Sequence, residues 1–180
     1  MHKRSMQDLQ RLTVEAFKSH NKTNVVLILD NLRSALNVGS AFRTADAFLV
    51  EQIALCGISA TPPHREITKT AIGATKTVDW SHFEDTLTAL SHYKKLGYRT
   101  VAVEQAQESI PLQKYDVEAG SKIALIFGNE VKGVGQEVMN IVDDCIEIPQ
   151  FGTKHSLNVS VSMGILLWSI SQKVQPQLFK

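Results

Sequence analysis

Short apolar runs of strand length alternate along this chain with segments whose apolar residues recur at helical spacing. The first run, Val25–Leu29, is continuous and rich in β-branched residues, which is typical of a strand buried on both faces. The apolar residues that follow it are spaced as on one face of a helix. Strands that alternate with helices predict a parallel α/β sheet with helices on both faces.

The pattern also predicts where the elements lie. Asn37 and Asn158 each precede an apolar helical segment, so both are predicted to cap a helix. We expect a long polar loop over 57–76 and no internal repeat. The predicted strands cover 25–29, 52–56, 100–104, 122–127 and 145–148, and the predicted helices cover 5–18, 38–49, 84–96, 136–142 and 158–173.

Length and composition limit the classes of protein. A chain of 180 residues with 43% apolar residues is long enough for one domain with a proper core. No apolar run approaches the roughly 18 residues that cross a bilayer, and the polar start of the chain does not resemble a signal peptide, so we expect a cytoplasmic protein. Cys56 and Cys145 lie in strand-like segments and are predicted to be small core residues with free thiols.

The charge is uneven along the chain. Residues 1–76 hold 10 Lys and Arg against 6 Asp and Glu, whereas residues 77–180 hold 9 against 12. The first part therefore has a net charge of +4 and the second of −3. The positive charge of the first part is compatible with an anionic partner such as nucleic acid.

Three loops are candidates for a ligand site because ligands bind at the carboxyl ends of the strands in an open parallel sheet. They cover 31–43, 128–134 and 148–160, and each combines glycine with polar side chains. No dinucleotide fingerprint, P-loop or serine nucleophile motif is present in the sequence. The six histidines form no pair at zinc-ligand spacing, so no metal site is predicted.

Each residue in these loops also has a purely structural interpretation. Arg43 lies three residues before Asp46, the spacing of an exposed helical ion pair worth about 0.2–0.5 kcal/mol. Asn37 and Asn158 are good helix caps on their own account. The other structural interpretations are a solvated loop acid for Glu130, a contribution to capping the last helix for Ser156, and positive-φ turns for Gly128 and Gly152.

Taken together and in this order, the three loops resemble the motifs of the SpoU (TrmH-like) family of RNA ribose 2'-O-methyltransferases, within the SPOUT superfamily. The segments are NVGSAFR at 37–43, FGNE at 127–130, and IPQFG at 148–152 with SLNVS at 156–160. The resemblance covers a catalytic core of 24–172 in a single domain of 1–180, with 1–22 as an amino-terminal helical extension. Gln150 departs from the Met that many relatives have, and we expect only a local packing change there.

The resemblance implies an α/β-knot fold, with a deep trefoil knot in the carboxyl-terminal part. It implies that S-adenosyl-L-methionine binds at Glu104, Gly128, Ile148 and Leu157, largely through backbone groups. It also implies a homodimer in which Arg43 acts beside the cofactor of the partner subunit. The residues expected to complete that site are Asn37, Glu130, Ser156 and Asn158.

Two roles are open for Arg43. A guanidinium with a pKa above about 12 is a poor base unless its surroundings lower that value, so Arg43 either removes the proton from the ribose hydroxyl directly or clamps a phosphate while another group takes the proton. The basic residues Arg65, Lys69 and Lys76, with others on the first helix, are candidates for contacts to RNA phosphates.

Two other functions compete with ribose methylation. One is a SPOUT enzyme that methylates a base, which normally needs its own acid or base and a pocket for an extruded nucleobase. The other is a non-catalytic RNA-binding protein with the same fold. Since no separate RNA-recognition domain is evident in the sequence, transfer RNA is favoured over ribosomal RNA as the substrate, and the nucleotide is left open.

Overall fold

Seven parallel strands form one sheet in the computed structural model, which describes residues 1–5, 8–9 and 11–179. The strand order across the sheet is β3-β2-β1-β6-β4-β7-β5, and all six pairings are parallel. The strands are β1 (Val25–Asp30), β2 (Gln52–Cys56), β3 (Asp79–Phe83), β4 (Arg99–Val103), β5 (Ile110–Pro111), β6 (Ile123–Phe127) and β7 (Asp144–Glu147).

Helices cover both faces of the sheet, which confirms the predicted α/β class. Side chains of α2, α3 and α6 pack on one face, and those of α4 and α5 pack on the other. The helices are α1 (Val14–Ser19), α2 (Ala35–Ala47), α3 (Arg65–Ala71), α4 (Thr86–Lys95), α5 (Gln136–Met139) and α6 (Val159–Val174).

The central strands contribute to both layers of the core. All six residues of β1 and all five of β6 are buried. Successive side chains of a strand point to opposite faces, so Val25, Leu27 and Leu29 join one apolar cluster whereas Val26 and Ile28 join the other. This explains why the run at Val25–Leu29 is continuous rather than alternating.

The first helix is shorter than the sequence predicts. Instead of covering 5–18, it begins at Val14, and the hydroxyl of Thr13 accepts a hydrogen bond from the N–H of Ala16. Ahead of this helix, the Asp8 carboxylate accepts hydrogen bonds from the N–H of Ser5 at 2.7 Å and from the Ser5 hydroxyl at 2.6 Å. Met6, Gln7 and Gln10, which the predicted helix 5–18 includes, lie outside the described residues.

The segment 57–76, predicted as a loop, contains a helix and precedes an additional strand. Helix α3 has only two buried side chains, Ile67 and Ala71, so it is too short to show a helical period in the sequence. Strand β3 lies at the edge of the sheet and contains mostly polar or half-buried residues. The two-residue strand β5 at the other edge was also missed, because edge strands need little apolar surface.

The two predicted helix caps have different outcomes. Asn158 caps α6, since its side-chain oxygen lies 2.9 Å from the N–H of Ser160. The prediction for Asn37 is wrong: Ser34 caps α2, and Asn37 lies inside its first turn with its N–H 3.3 Å from the Ser34 hydroxyl. The Asn37 side chain is therefore free to contact another loop.

Both cysteines are free thiols, as predicted. Cys56 is buried in β2, and burial raises the pKa of its thiol to about 12. Cys145 is half-buried, and its thiol donates to the carbonyl of Glu104. Among the residues that the structure describes, no helix is long and apolar enough to span a membrane.

Candidate active site

A broad cleft of about 1330 Å³ opens at the carboxyl ends of β4, β6 and β7. It exceeds the roughly 300–1,000 Å³ of ordinary small-molecule sites, so it has room for a ligand and part of a second one. All four predicted cofactor residues line it, together with three of the predicted catalytic residues. These are Glu104, Gly128, Ile148 and Leu157, with Glu130, Ser156 and Asn158.

The loop that follows β6 is held by carboxylates from both neighbouring strands. The N–H of Val134 lies 3.0 Å from a Glu104 carboxylate oxygen at the end of β4. The next N–H, that of Gly135, lies 3.1 Å from a carboxylate oxygen of Asp30 at the end of β1. Because β6 lies between β1 and β4, these two acids fix the loop from both sides.

Asp30 is a residue that the sequence analysis missed. It is only 4% exposed, yet its carboxylate accepts hydrogen bonds from the Thr86 hydroxyl at 2.6 Å and the Asn31 amide at 2.9 Å, besides Gly135. A buried charge is stable only when it is paired or hydrogen-bonded in this way. The signal in the sequence was an acid at the end of an apolar run, because the oxygens of such an acid need hydrogen-bond donors at the carboxyl end of the strand.

Gly128 lies where two segments of backbone come very close. A Cβ atom there would lie 2.1 Å from the carbonyl carbon of Gly133 and 2.2 Å from the nitrogen of Val134. Asn129 and Gly133 form an antiparallel bridge, and the Asn129 side chain donates to the carbonyl of Asn31 at 2.8 Å. Gly128 is thus required for this close approach, and its φ is not in the positive range that the turn interpretation implied.

Glu130 links the loop after β6 to the start of α2. Its carboxylate accepts from the backbone N–H groups of Arg33 and Ser34 and from the Asn37 amide, each at 3.0 Å. Burial by itself would raise the pKa of Glu130, but these hydrogen bonds outweigh it and hold that pKa below its ordinary value. Glu130 is therefore not simply a solvated loop acid, because it stabilises the positive end of α2.

Asn37 and Asn158 bring in the third loop. The Asn158 amide nitrogen lies 3.4 Å from the Asn37 side-chain oxygen, while the other end of the Asn158 amide caps α6. A chain of hydrogen bonds therefore runs from Glu130 through Asn37 to Asn158, so the three loops predicted from the sequence meet. Ser156 is exposed at the rim of the cleft, and the capping role is taken by Asn158.

Arg43 does not line the cleft. It is exposed on α2 and lines a separate groove of about 390 Å³ between α2, α3 and the start of α6. The predicted ion pair with Asp46 is absent: the described residues contain the ion pairs Lys94–Asp143 and Arg99–Asp144, whereas Asp46 accepts from the Thr77 hydroxyl at 2.5 Å. The described part of the chain has no cluster of side chains that could hold a metal ion.

An open parallel sheet with a cleft at the carboxyl ends of its strands is the arrangement in which α/β proteins bind small ligands. The sequence matches the SpoU rRNA Methylase family over residues 24–168, and the chain belongs to that family.

Three similar proteins illustrate this membership. The chain is 30% identical to the 23S rRNA (guanosine-2'-O-)-methyltransferase RlmB of Neisseria meningitidis, over 79% of the chain and 56% of that relative. It superimposes on the TrmH/SpoU tRNA modifying enzyme of A. aeolicus with a TM-score of 0.78 and 26% identity, over 91% of the chain and 81% of that structure. The AdoMet-bound rRNA methyltransferase from Sinorhizobium meliloti superimposes with a TM-score of 0.77 and 25% identity, over 91% and 61%. The chain spans 56–64% of the length of four of the curated relatives that it matches.

Proposed function

We propose that this protein transfers the methyl group of S-adenosyl-L-methionine to a ribose 2'-hydroxyl in RNA. The names of its relatives support both the cofactor and the reaction, since one is a guanosine-2'-O-methyltransferase and another was solved with AdoMet bound. Transfer RNA is the favoured substrate, with ribosomal RNA as the alternative. The proposed catalytic core is residues 24–172, preceded by the extension 1–22, and the proposed location is the cytoplasm.

The observation that carries this proposal is the hydrogen-bonded chain from Glu130 through Asn37 to Asn158. Asn37 is 93 positions from Glu130 and 121 positions from Asn158 in the sequence. Each of the three residues belongs to a different family motif. The three motifs therefore contribute to one hydrogen-bonded arrangement at the edge of the cleft. Amide and carboxylate groups held in this way are suited to orient a ribose and a guanidinium.

The cleft fits the proposed cofactor. Ile148 and Leu157 present apolar side chains that can cover an adenine. Gly128 has no side chain, so the backbone N–H and C=O groups beside it stay accessible for hydrogen bonds to the adenine. The carboxylate of Glu104 is already bonded to the N–H groups of Val134 and Gln105. We therefore propose that Glu104 shapes the cofactor loop through its side chain. When bound, S-adenosyl-L-methionine supplies a methyl group activated by the sulfonium.

The chain's own residues must align the ribose oxygen and remove its proton. Asn37, Glu130, Ser156 and Asn158 are proposed to fix the ribose and Arg43 by hydrogen bonds. A guanidinium holds phosphate strongly through paired N–H donors but gives up its proton reluctantly, which favours the clamp over the base as the role of Arg43.

We propose that two subunits build one active site. Arg43 lines a different groove from the cofactor residues, so a partner subunit is needed to bring it to a cleft. A row of exposed apolar side chains along α6, at Val161, Ile165 and Trp168, offers a surface for that partner. The family's trefoil knot is part of the same proposal, and the position of β6 between β1 and β4 is compatible with it.

The test is to incubate the protein with S-adenosyl-L-methionine and unmodified transfer and ribosomal RNA, digest the RNA to nucleosides and measure 2'-O-methyl products by mass spectrometry. We expect a product with the parent and at least a hundredfold less with Arg43→Ala, because loss of one preorganised hydrogen-bond donor costs about 10²–10³-fold. Cofactor binding is expected to survive in Arg43→Ala. Arg43→Lys keeps the positive charge without the paired N–H donors, so its activity shows how much of the effect depends on charge alone.

Two outcomes would overturn the proposal. A methylated base in place of a ribose would identify a base methyltransferase with the same fold. RNA binding with neither cofactor binding nor any methylated product would identify a non-catalytic RNA-binding protein. If Arg43→Ala lost cofactor binding, the role assigned to Arg43 would be wrong even if the parent made the ribose product.

A further inference from the structure

The groove that contains Arg43 has a second cation. Lys69 on α3 lines it, together with hydroxyl groups of Ser40, Thr44 and Thr70. The remaining lining residues, Ser160 and Val161, are at the start of α6. Among the described residues that line this groove, two are cations and none carries a carboxylate, so its chemistry suits an anion with several oxygen atoms.

The position of Lys69 relative to Arg43 is set by tight packing of α3 on α2. The Thr70 hydroxyl donates to the carbonyl of Leu36 at 3.0 Å. A Cβ atom at Gly39 would lie 2.1 Å from that hydroxyl and 2.5 Å from the carbonyl oxygen of Ile67, so only glycine allows this approach. The groove is therefore fixed by backbone contacts and does not depend on long side chains for its shape.

The two cations have no competing partner within the described part of the chain. Neither Arg43 nor Lys69 belongs to one of its ion pairs, and both side chains are exposed. The nearby start of α6, a helix of 16 residues, adds the positive end of a helix dipole. All three contributions favour a negatively charged ligand in the groove.

We propose that this groove binds a phosphodiester of the substrate RNA, and that Lys69 holds the phosphate next to the ribose served by Arg43. This inference rests on the proposed function. The sequence offers three basic residues in this region, Arg65, Lys69 and Lys76, and only Lys69 lines the groove. Lys69 therefore contributes to the affinity for RNA and to the position of the RNA in the groove, and it does not affect the affinity for the cofactor.

The experiment measures RNA affinity against salt. A labelled unmodified transfer RNA transcript is titrated with the parent, Lys69→Ala, Lys69→Arg and Lys95→Ala by fluorescence anisotropy at several KCl concentrations. Lys95 is the matched control, because it is an exposed lysine in the last turn of α4, on the opposite face of the sheet. Cofactor affinity is measured on the same proteins by calorimetry.

We expect Lys69→Ala to weaken RNA binding by about five- to tenfold at moderate salt and to lower the slope of log Kd against log salt by about 0.7–0.9, the effect of one lost phosphate contact. Lys69→Arg should keep most of the affinity, and Lys95→Ala should match the parent. Cofactor affinity should be the same in all four proteins.

Equal affinity and equal salt slope for Lys69→Ala and Lys95→Ala would overturn the inference. Absence of measurable RNA binding by the parent would overturn it as well. If RNA binding depends on Lys69 but no methylated nucleoside forms, the groove assignment stands and the proposed reaction fails. The two proposals can therefore be separated by the same set of proteins.

Discussion

Glu130 shows how one carboxylate can join two loops of the site. It accepts three hydrogen bonds from the start of α2, and these keep its pKa below the ordinary value in spite of partial desolvation of this exposed side chain. A group whose pKa is lowered by folding stabilises the protein above its unfolded pKa, and this stabilisation is lost as the pH falls through the folded pKa. For Glu130 that loss begins below a pH of about 4.5.

The variant Glu130→Gln tests this contribution. At pH 7 we expect it to lower the free energy of unfolding by about 1 kcal/mol, below the full value for hydrogen bonds to a charged group because Glu130 is exposed to solvent. The difference from the parent should shrink as the pH falls below about 4.5, because the stabilisation by the carboxylate is lost between the ordinary pKa of the unfolded chain and the lowered pKa of the folded protein. Urea unfolding at pH 7 and pH 3.5 measures both values.

Glu118→Gln is the control for this experiment, since Glu118 is exposed and its side chain makes no hydrogen bond within the described residues. That variant should unfold like the parent at both pH values. A deficit in Glu130→Gln of the same size at pH 7 and pH 3.5 would contradict the electrostatic explanation.

The contact between α2 and α3 is the arrangement on which the second groove depends. Gly39 lets the two helices approach, Ile67 contributes the buried face of α3, and Thr70 bonds to Leu36. Glycine inside a helix normally costs about 0.5–1 kcal/mol relative to alanine. Here the close packing of the helices compensates for that cost.

Gly39→Ala is therefore expected to destabilise the protein although it raises helix propensity. The new methyl group would contact backbone atoms of α3, and overpacking of this kind costs about 1–3 kcal/mol. Denaturant unfolding should show a net loss of about 1–2 kcal/mol, and RNA binding should weaken because Lys69 moves away from Arg43. Ser91→Ala at an exposed position of α4 is the control, with a small gain in stability expected. Increased stability of Gly39→Ala would show that the interface is not tight.

The order of strands across the whole sheet decides where the site lies. Strand β6 is between β1 and β4, so the loop after β6 reaches the acids at the ends of both neighbours, Asp30 and Glu104. The cleft therefore forms where strands that are distant in the sequence become neighbours. Arg43 lies outside that cleft, and this separation is the reason for proposing a second subunit.

The dimer proposal predicts the effect of a charge on α6. Ile165 lies in the middle of the exposed apolar row and is 37% exposed. Ile165→Asp should convert the dimer to a monomer, because an unpaired carboxylate would be buried at the interface, and methyl transfer should fall with it. Analytical ultracentrifugation and the nucleoside assay measure the two effects.

Leu96→Asp is the matched control, because Leu96 is 50% exposed and follows α4 on the other face of the sheet. It should leave both the assembly state and the activity unchanged. A monomeric parent with full activity would rule out the shared site.

Features confined to one segment could be predicted from the sequence. The apolar run at Val25–Leu29 is buried because its own residues require it, and Asn158 caps α6 because its amide reaches the N–H two residues later. The parallel sheet with helices on both faces follows from many such segments in alternation. Short or polar elements, such as α3 and β3, have no clear apolar period in their own sequence. Contacts with neighbouring elements stabilise them instead.

Contacts between segments depended on the tertiary structure. Asn37 has the residue type and position of a helix cap, yet Ser34 takes that role and Asn37 bonds to Glu130 and Asn158. Likewise, nothing local distinguishes Lys69 from Lys76, and the packing of α3 at Gly39 is what brings Lys69 to Arg43's groove. The physical reason is that local propensities act within a few residues, whereas the strand order determines which distant polar groups come within hydrogen-bonding distance.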